Sequence, residues 1–279
     1  MTIAITGATG HLGRLAIAAL KARGQKPLAL VRDPAKATDL GAETRAFEYK
    51  AISTLAPALA GVETLVLVSS NDFDDRVGQH RNVIAAAKAA GVGRILYTSI
   101  LRADSSPMLL AADHKGTEEA VRDSGLGFTF LRNGWYTENH TGSLGGAIAA
   151  GALIGSAGEG RFSTASRADY AEAIAVTAIG EGHDGKTYEL AGDGSHSYAE
   201  LAAEVSRVTG KAIPYNDLPP DAYAGILQSF GLPAGFAHVL ADSDVQAGKG
   251  ALFDESRTLS RLIGRPTTPW QQTVAAALA

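Results

Sequence analysis

The sequence predicts an α/β fold, and three observations lead to this expectation. Short apolar runs alternate with helical segments through the first half of the chain, which is typical of a parallel sheet with helices on both faces. A glycine-rich turn joins the first apolar run to the first helical segment, and after Asn133 helical patterns dominate. We therefore expect a Rossmann-like doubly wound parallel sheet over residues 1–150. A smaller, mostly helical lobe is expected over 151–279, with some chain returning to the main sheet.

Each strand of the first half is expected where a short apolar run meets a turn signal. The run that opens at Thr2 ends at Gly7, and the helix that contains Leu15–Leu20 ends at Gly24. The helix predicted after the fourth strand is rich in alanine and stops at Gly91. The other strands predicted in this half cover 27–31, 44–48, 64–68, 94–98 and 128–132, and the helices cover 34–36, 55–59, 76–90 and 109–123.

The second half has weaker patterns. Residues 142–160 are rich in glycine and alanine and low in charge, so they are either a flexible connection or a segment that orders over a ligand. Ser166 is expected to cap the next helix, with Asp169 in its first turn. The remaining predictions are helices over 168–179, 198–209, 220–230, 236–240 and 256–263, and strands over 186–191 and 213–215.

Composition excludes several classes of function. The 279 residues contain no cysteine, which rules out disulfides and thiolate chemistry, and no histidine spacing suggests a metal site. The net charge is −4, the isoelectric point is near 6.0, and no basic run exceeds two residues, so nucleic acid and anionic membranes are unexpected partners. Neither a signal peptide nor an apolar run of about 18 residues is recognisable. We expect a cytoplasmic protein, and the sequence leaves open whether it forms a homodimer.

The glycine-rich turn has the spacing G-x-x-G-x-x-G at Gly7, Gly10 and Gly13. Glycines at such positions allow a sharp turn, a close approach to a pyrophosphate, and tight packing of helix on strand. The first N–H groups of the following helix then face the phosphates. The motif predicts dinucleotide binding, the alternative being a structural turn without a ligand. The predicted contacts are Gly7, Ala8, Thr9, Gly10, His11, Leu12 and Gly13.

Arg32 indicates which dinucleotide is bound. Domains that prefer NAD carry an acidic residue at the end of the second strand, whereas this chain carries Arg32 there and Lys36 one turn later. A guanidinium favours the 2′-phosphate of NADP, and Lys36 would add a second positive charge. The alternative is an ordinary solvated arginine, either alone or paired with Asp33.

Polar residues follow the fourth and fifth strands, where an open parallel sheet binds ligands. Ser69, Ser70, Asn71, Thr98 and Ser99 are predicted cofactor contacts, with Ser99 lining the nicotinamide site. Many short-chain dehydrogenases use a Tyr-x-x-x-Lys pair, but Ala111 stands four residues before Lys115. No phenol is available there as a general acid. Lys115 is either a residue of the catalytic site or an ordinary solvated lysine of the helix.

Several runs resemble the NmrA-like branch of the atypical short-chain dehydrogenases, and within it the bacterial type 2 NAD(P)H:quinone oxidoreductases. The resemblance covers nearly the whole chain. It rests on Thr6–Gly13, Val31–Lys36, Gln79–Ile84, Tyr97–Ser99, Leu131–Tyr136, Glu138–Asn139, Tyr188–Gly192, Leu240–Asp244 and Leu259–Gly264.

The resemblance implies two-electron reduction of quinones by NADPH without flavin. A quinone is a good hydride acceptor, so positioning matters more than proton transfer. Asn133 is expected to donate to a quinone carbonyl, and Tyr136 to stack on the ring or donate from its hydroxyl. Trp135 is expected in the core. His114 is a candidate proton source, with a structural role as the alternative.

Two rival readings stay open. Proteins of the NmrA-like branch include regulators that bind NADP(H) without turnover, and the cofactor turn does not separate these from enzymes. The same cleft also suits a reductase of azo, imine or carbonyl compounds. The resemblance through Asn133–Tyr136 favours the quinone reductase.

Overall fold

The computed structural model describes residues 1–72 and 74–279, and the chain forms two compact units. Unit 1 comprises Met1–Ala103, Asp113–Asn133 and Arg167–Tyr188, and unit 2 comprises Asp104–Ala112, Gly134–Ser166 and Glu189–Ala279. Residue 150 lies inside unit 2, so the predicted division at that position does not coincide with these units. The division of the chain into two domains at residue 150 stays a prediction.

A seven-stranded sheet has the order β3-β2-β1-β4-β5-β6-β8. The pairings from β3 through to β6 are parallel, so the predicted doubly wound parallel sheet is confirmed. The strands of this sheet are β1 Ile3–Ile5, β2 Leu28–Val31, β3 Glu43–Ala46, β4 Thr64–Leu67, β5 Arg94–Ile100, β6 Gly127–Asn133 and β8 Lys186–Leu190.

Helices follow the strands of unit 1 in the expected alternation. The α-helices up to β8 are α1 His11–Ala22, α2 Leu55–Ala58, α3 Arg76–Ala89, α4 Leu109–Ser124, α5 Thr137–Thr141, α6 Leu144–Ala150 and α7 Arg167–Ile179. Short 3₁₀ turns cover Pro34–Lys36, Thr38–Leu40 and Ile52–Thr54. Within unit 1, α1 packs on α7, and Arg23 forms an ion pair with Glu172 across this contact.

The central strands explain the sequence pattern. Every residue of β1, β2 and β4 is buried, which is why these strands read as continuous apolar runs rather than as alternating ones. The edge strand β3 has no buried residue, and its polar sequence gave the weakest strand signal. The observed strand begins at Glu43, one residue before the predicted start at 44.

Unit 2 combines helices with a small parallel sheet of β7 Leu153–Gly155 and β9 Tyr215–Asp217. Its later helices are α8 Tyr198–Thr209, α9 Pro220–Ser229, α10 Ala234–Gly248, α11 Thr258–Ile263 and α12 Trp270–Leu278. The segment 142–160 contains α6 and β7, which its weak sequence pattern did not reveal, and its ordering over a ligand stays a prediction. The strand predicted over 213–215 begins at Tyr215 instead, because Pro214 lacks the N–H that a strand donates.

Candidate cofactor site

The glycine-rich turn lies between β1 and α1, at the carboxyl end of β1. Gly7 has a φ of 58°, a left-handed conformation that glycine adopts without strain. The N–H of Gly10 donates to the carbonyl of Gly7 at 2.9 Å, which closes the turn. Gly7, Thr9, Gly10 and His11 are exposed, whereas Ala8, Leu12 and Gly13 are buried under them.

The N-terminal end of α1 can hold an anion. Gly10 is the N-cap residue, and it makes no side-chain cap. Arg14 is the first residue whose N–H bonds back to the turn, donating to the Gly10 carbonyl at 3.0 Å. The N–H groups of His11, Leu12 and Gly13 have no acceptor within the helix, and the helix dipole adds positive potential there. This cradle fits the pyrophosphate of a dinucleotide.

Gly13 has a packing role that the sequence suggested only in general terms. A Cβ atom on Gly13 would lie 2.3 Å from the Gly7 carbonyl oxygen and 2.8 Å from the Ala8 Cα. Gly10 is less constrained, because its φ is −75° and a Cβ there would lie 3.2 Å from the same carbonyl oxygen. The tight approach of α1 to β1 therefore depends on Gly13.

Arg14 is a contact that sequence reasoning missed. Its Nε donates to the Thr9 carbonyl at 2.9 Å, and one terminal nitrogen pairs with Asp39 at 2.5 Å. The side chain ties the exposed end of the glycine turn to the segment after β2. The partner Asp39 is 25 residues away in sequence, so no local pattern revealed it.

Arg32 follows β2 and is exposed. In the described part of the chain it makes no hydrogen bond or ion pair, and its guanidinium is available to a ligand. Asp33 instead accepts from the Ala35 N–H at 3.1 Å and pairs with Lys36 at 3.6 Å. Arg32 and Asp33 therefore do not pair, an ordinary solvated Arg32 stays open as the alternative, and the charge of Lys36 is partly compensated.

We expect Arg32→Ala to weaken NADPH binding by about 1.5–3 kcal/mol, the value of a hydrogen bond to a charged group, or about 10- to 150-fold in Kd. NADH binding should stay at the parent value because NADH lacks the 2′-phosphate. Calorimetric titration with both cofactors measures this. Lys36→Ala is the matched control and should have a smaller effect. Equal weakening of NADPH and NADH would assign Arg32 a structural role.

The loop after β4 meets β5 through a backbone N–H and a hydroxyl group. The Ser69 N–H donates to Thr98 Oγ1 at 2.9 Å, so these predicted cofactor residues are brought together. Asn71 is exposed, while Ser69 and Ser70 are half-buried. The polar edge that the sequence placed at the ends of these strands is therefore continuous within unit 1.

Ser99 makes a different contact from the predicted one. Its hydroxyl donates at 2.7 Å to Glu118, which is 1% exposed on α4. Arg132 donates to both oxygens of the same carboxylate, from Nε at 2.9 Å and from a terminal nitrogen at 2.8 Å. Ser99 and Arg132 are register partners on β5 and β6, so Glu118 joins the carboxyl ends of two strands. Nicotinamide contact by Ser99 stays a proposal.

His114 lies on the inner face of α4, and its Nδ1 is 2.9 Å from the hydroxyl of Tyr97 on β5. Burial, with smaller contributions from Arg76 and His80, lowers the pKa of His114 well below its usual value. The ring is therefore neutral at physiological pH. A neutral imidazole can donate a hydrogen bond, but it carries no extra proton to release.

The other predicted substrate residues lie on either side of the end of β6. Asn133 is 3% exposed and is the register partner of Ile100. Tyr136 belongs to unit 2, is half-buried and is the N-cap residue of α5. Its backbone forms an isolated β-bridge with Ala165. Lys115 is exposed on α4. Trp135 is half-buried rather than fully in the core.

No group of three or more metal-ligating side chains is placed to hold a metal ion within residues 1–72 and 74–279. Over the same residues, no helix is both long and apolar enough to cross a bilayer.

A protein-family model described as NAD(P)H-binding matches residues 7–178. The chain belongs to this NAD(P)H-binding family. The match includes the glycine turn, Arg32, and the ends of β4, β5 and β6. The predicted binding of a nicotinamide dinucleotide is thereby confirmed.

Individual relatives extend the similarity over the whole chain. Quinone oxidoreductase 2 of Escherichia coli is 50% identical over 278 residues, covering 98% of this chain and 97% of that protein. The structure of the E. coli NADPH-dependent quinone oxidoreductase in complex with NADPH superposes with a TM-score of 0.96 at 49% identity and covers 100% of both chains. Triphenylmethane reductase of Citrobacter, complexed with NADP(H), gives a TM-score of 0.92 at 35% identity, covering 99% of this chain and 100% of that one. The predicted resemblance is confirmed.

Proposed function

We propose that this protein is an NADPH-dependent quinone oxidoreductase that transfers hydride directly to a quinone, without flavin. The observation that carries the proposal is the similarity, over nearly the whole chain, to the E. coli quinone oxidoreductase, whose structure holds NADPH. The open N–H groups of α1 and the available guanidinium of Arg32 fit that cofactor. No cavity for a second, isoalloxazine-containing group is needed in this scheme.

Bound NADPH supplies the hydride, and the protein supplies binding and orientation. The cradle at Gly10–Gly13 holds the pyrophosphate, and Arg32 holds the 2′-phosphate. The ends of β5 and β6 support the nicotinamide side of the site, where the Ser99–Glu118–Arg132 contacts fix the backbone. A rigid edge of this kind favours catalysis by positioning.

Reduction of a quinone to a hydroquinone consumes one hydride, which supplies both electrons and one hydrogen, and one proton. We propose that the Asn133 amide donates a hydrogen bond to the carbonyl oxygen on which negative charge develops. Tyr136 is proposed to stack on the quinone ring or to donate from its hydroxyl. Because His114 is neutral, water is the simplest proton source, with the imidazole N–H as a hydrogen-bond donor only.

A second candidate substrate class is supported by two relatives. The Citrobacter reductase acts on triphenylmethane dyes by its name, and an NAD(P)H azoreductase of Xenophilus azovorans is 29% identical over 95% of this chain and 93% of that protein. Such dyes resemble quinones in being conjugated electron acceptors. The same cofactor edge would serve them.

The test is NADPH oxidation by the purified protein with a simple benzoquinone, a triphenylmethane dye and an azo dye, each against a control without acceptor. We expect the fastest turnover with the quinone and no flavin absorbance. Deuteration at the transferred C4 position of NADPH should slow a single turnover. Binding of NADPH without oxidation by any acceptor would favour the regulator, and a tightly bound flavin would exclude direct transfer.

Variants locate the substrate side of the reaction. Asn133→Ala and Tyr136→Phe should lower the rate with quinone while leaving the Kd for NADPH near the parent value, because neither residue is proposed to hold the cofactor. Asn216→Ala, an exposed residue of β9 in unit 2, is the matched control and should leave both quantities unchanged. A loss of NADPH affinity in proportion to the rate would move both residues to the cofactor side.

A further inference from the structure

In the loop after β4, side chains of α3 hold both backbone polar atoms of Ser70. The Ser70 N–H donates to His80 Nε2 at 3.2 Å, and the Ser70 carbonyl accepts from Arg76 Nε at 2.9 Å. Ser70 is the middle residue of the Ser69–Asn71 loop, which was predicted to contact the cofactor. Two side chains of α3 therefore fix the backbone of this loop.

The hydrogen bonds determine the tautomer of His80. Since Nε2 accepts from Ser70, the ring proton must be on Nδ1, which lies 2.9 Å from Thr117 Oγ1. The Thr117 hydroxyl donates its own hydrogen to the Asp113 carbonyl at 2.9 Å. Thr117 can therefore only accept from His80, and this arrangement holds Nε2 as the acceptor.

The surroundings keep the ring in one place and uncharged. His80 and Thr117 are both 0% exposed. The imidazole contacts Tyr49 and Tyr97 edge-on, with ring centroids 6.1 Å and 5.6 Å away. Burial and the nearby charge of Arg76 lower the pKa of His80 to about 3. The acceptor at Nε2 is thus present at neutral pH.

We propose that His80 is a positioning residue for the cofactor-binding loop Ser69–Asn71, and that Thr117 sets the tautomer in which it works. His80 acts through the Ser70 peptide and touches no substrate or cofactor itself. The role rests on the proposed cofactor contact of this loop. The sequence alone does not indicate this role, because the partners of His80 lie in the loop after β4 and on α4, where Thr117 is 37 residues away.

Three variants separate positioning from packing. In His80→Gln the amide oxygen takes the place of the Nε2 acceptor, whereas His80→Phe keeps a flat ring and removes the acceptor. Thr117→Val is nearly isosteric and releases the tautomer. We expect the calorimetric Kd for NADPH to rise about tenfold in His80→Phe, the effect of losing one hydrogen bond to the loop. It should stay within about threefold of the parent in His80→Gln and take an intermediate value in Thr117→Val.

His183→Phe is the matched control. It breaks a ring hydrogen bond of 2.8 Å to Tyr188 in unit 1 but lies away from the loop in sequence and bonding. Its Kd for NADPH should equal that of the parent. Equal rises in Kd for His80→Gln and His80→Phe, with equal falls in Tm, would leave only a packing role and overturn the proposal.

A measurement without cofactor distinguishes this proposal from the proposed function. Nitrogen-detected NMR of the parent should show His80 protonated on Nδ1 and not on Nε2, and amide exchange of Ser70 should accelerate in Thr117→Val. A proton on Nε2, or unchanged exchange at Ser70, would overturn the proposed positioning of the loop by His80. Failure of the parent to bind NADPH would overturn the proposed function while these results still decide the role of His80.

Discussion

Gly13→Ala should destabilise unit 1 by about 3 kcal/mol or more and remove measurable NADPH binding. The new methyl carbon would lie 2.3 Å from the Gly7 carbonyl oxygen and 2.8 Å from the Ala8 Cα. Both neighbours are backbone atoms that no rotamer change can move. Relief therefore requires α1 to separate from β1, which also moves the N–H groups proposed to hold the pyrophosphate. Urea denaturation measures the first effect and calorimetry the second.

Gly10→Ala is the matched control for this prediction. Its φ of −75° suits alanine, and its Cβ would lie 3.2 Å from the Gly7 carbonyl oxygen, so a shift of a few tenths of an ångström suffices. We expect the fold to survive while NADPH affinity falls, because the methyl group would face the pyrophosphate. A Gly13→Ala protein with the parent's urea midpoint would show that the helix and strand can separate without cost.

Local patterns were sufficient to predict the elements that position the cofactor. The glycine spacing, the apolar runs of β1, β2 and β4, and the cation at Arg32 are all properties of short segments. Their predicted positions in the fold follow from the rule that parallel strands share one ligand-binding edge. The predicted edge at Ser69 and Thr98 follows from the same rule, and their direct hydrogen bond agrees with it.

Interactions between distant segments could not be predicted in the same way. The sequence suggested that Ser99 lines the nicotinamide site, but it gave no sign of the hydrogen bond from its hydroxyl to a glutamate 19 residues later. His114 seemed suited to proton transfer, but its pKa depends on burial that only the packed α4 creates. In unit 2, α6 was missed because its run of glycine and alanine has little helical periodicity, and α12 was also missed.

Glu118 provides the second prediction of large effect. Its carboxylate is 1% exposed and accepts from Ser99 and from two nitrogens of Arg132, which is itself 5% exposed. Glu118→Gln would leave the Arg132 guanidinium buried beside a neutral amide. Breaking one side of a buried ion pair typically costs about 3–5 kcal/mol. We expect a loss of this size in the free energy of unfolding by urea.

Arg122→Ala is the control, because Arg122 donates to the same carboxylate at 3.2 Å from a side chain that is 42% exposed. A partly solvated contact of this kind contributes about 0–1 kcal/mol. Ser99→Ala should cost about 1 kcal/mol, since it removes one hydrogen bond without changing a charge. Parent-like stability of Glu118→Gln would mean that water or another group compensates Arg132.

The Glu118 contacts should also affect turnover, because Arg132 immediately precedes Asn133 at the end of β6. Ser99→Ala keeps the ion pair and is expected to fold, so it tests this link without a large loss of stability. We expect kcat with quinone to fall about threefold to tenfold while the Kd for NADPH stays near the parent value, since a small displacement at the substrate side weakens positioning. Deuterated NADPH should then show a larger isotope effect, because hydride transfer becomes more fully rate-limiting. An unchanged kcat in Ser99→Ala, alongside the expected loss of stability in Glu118→Gln, would confine the Glu118 contacts to holding the fold together.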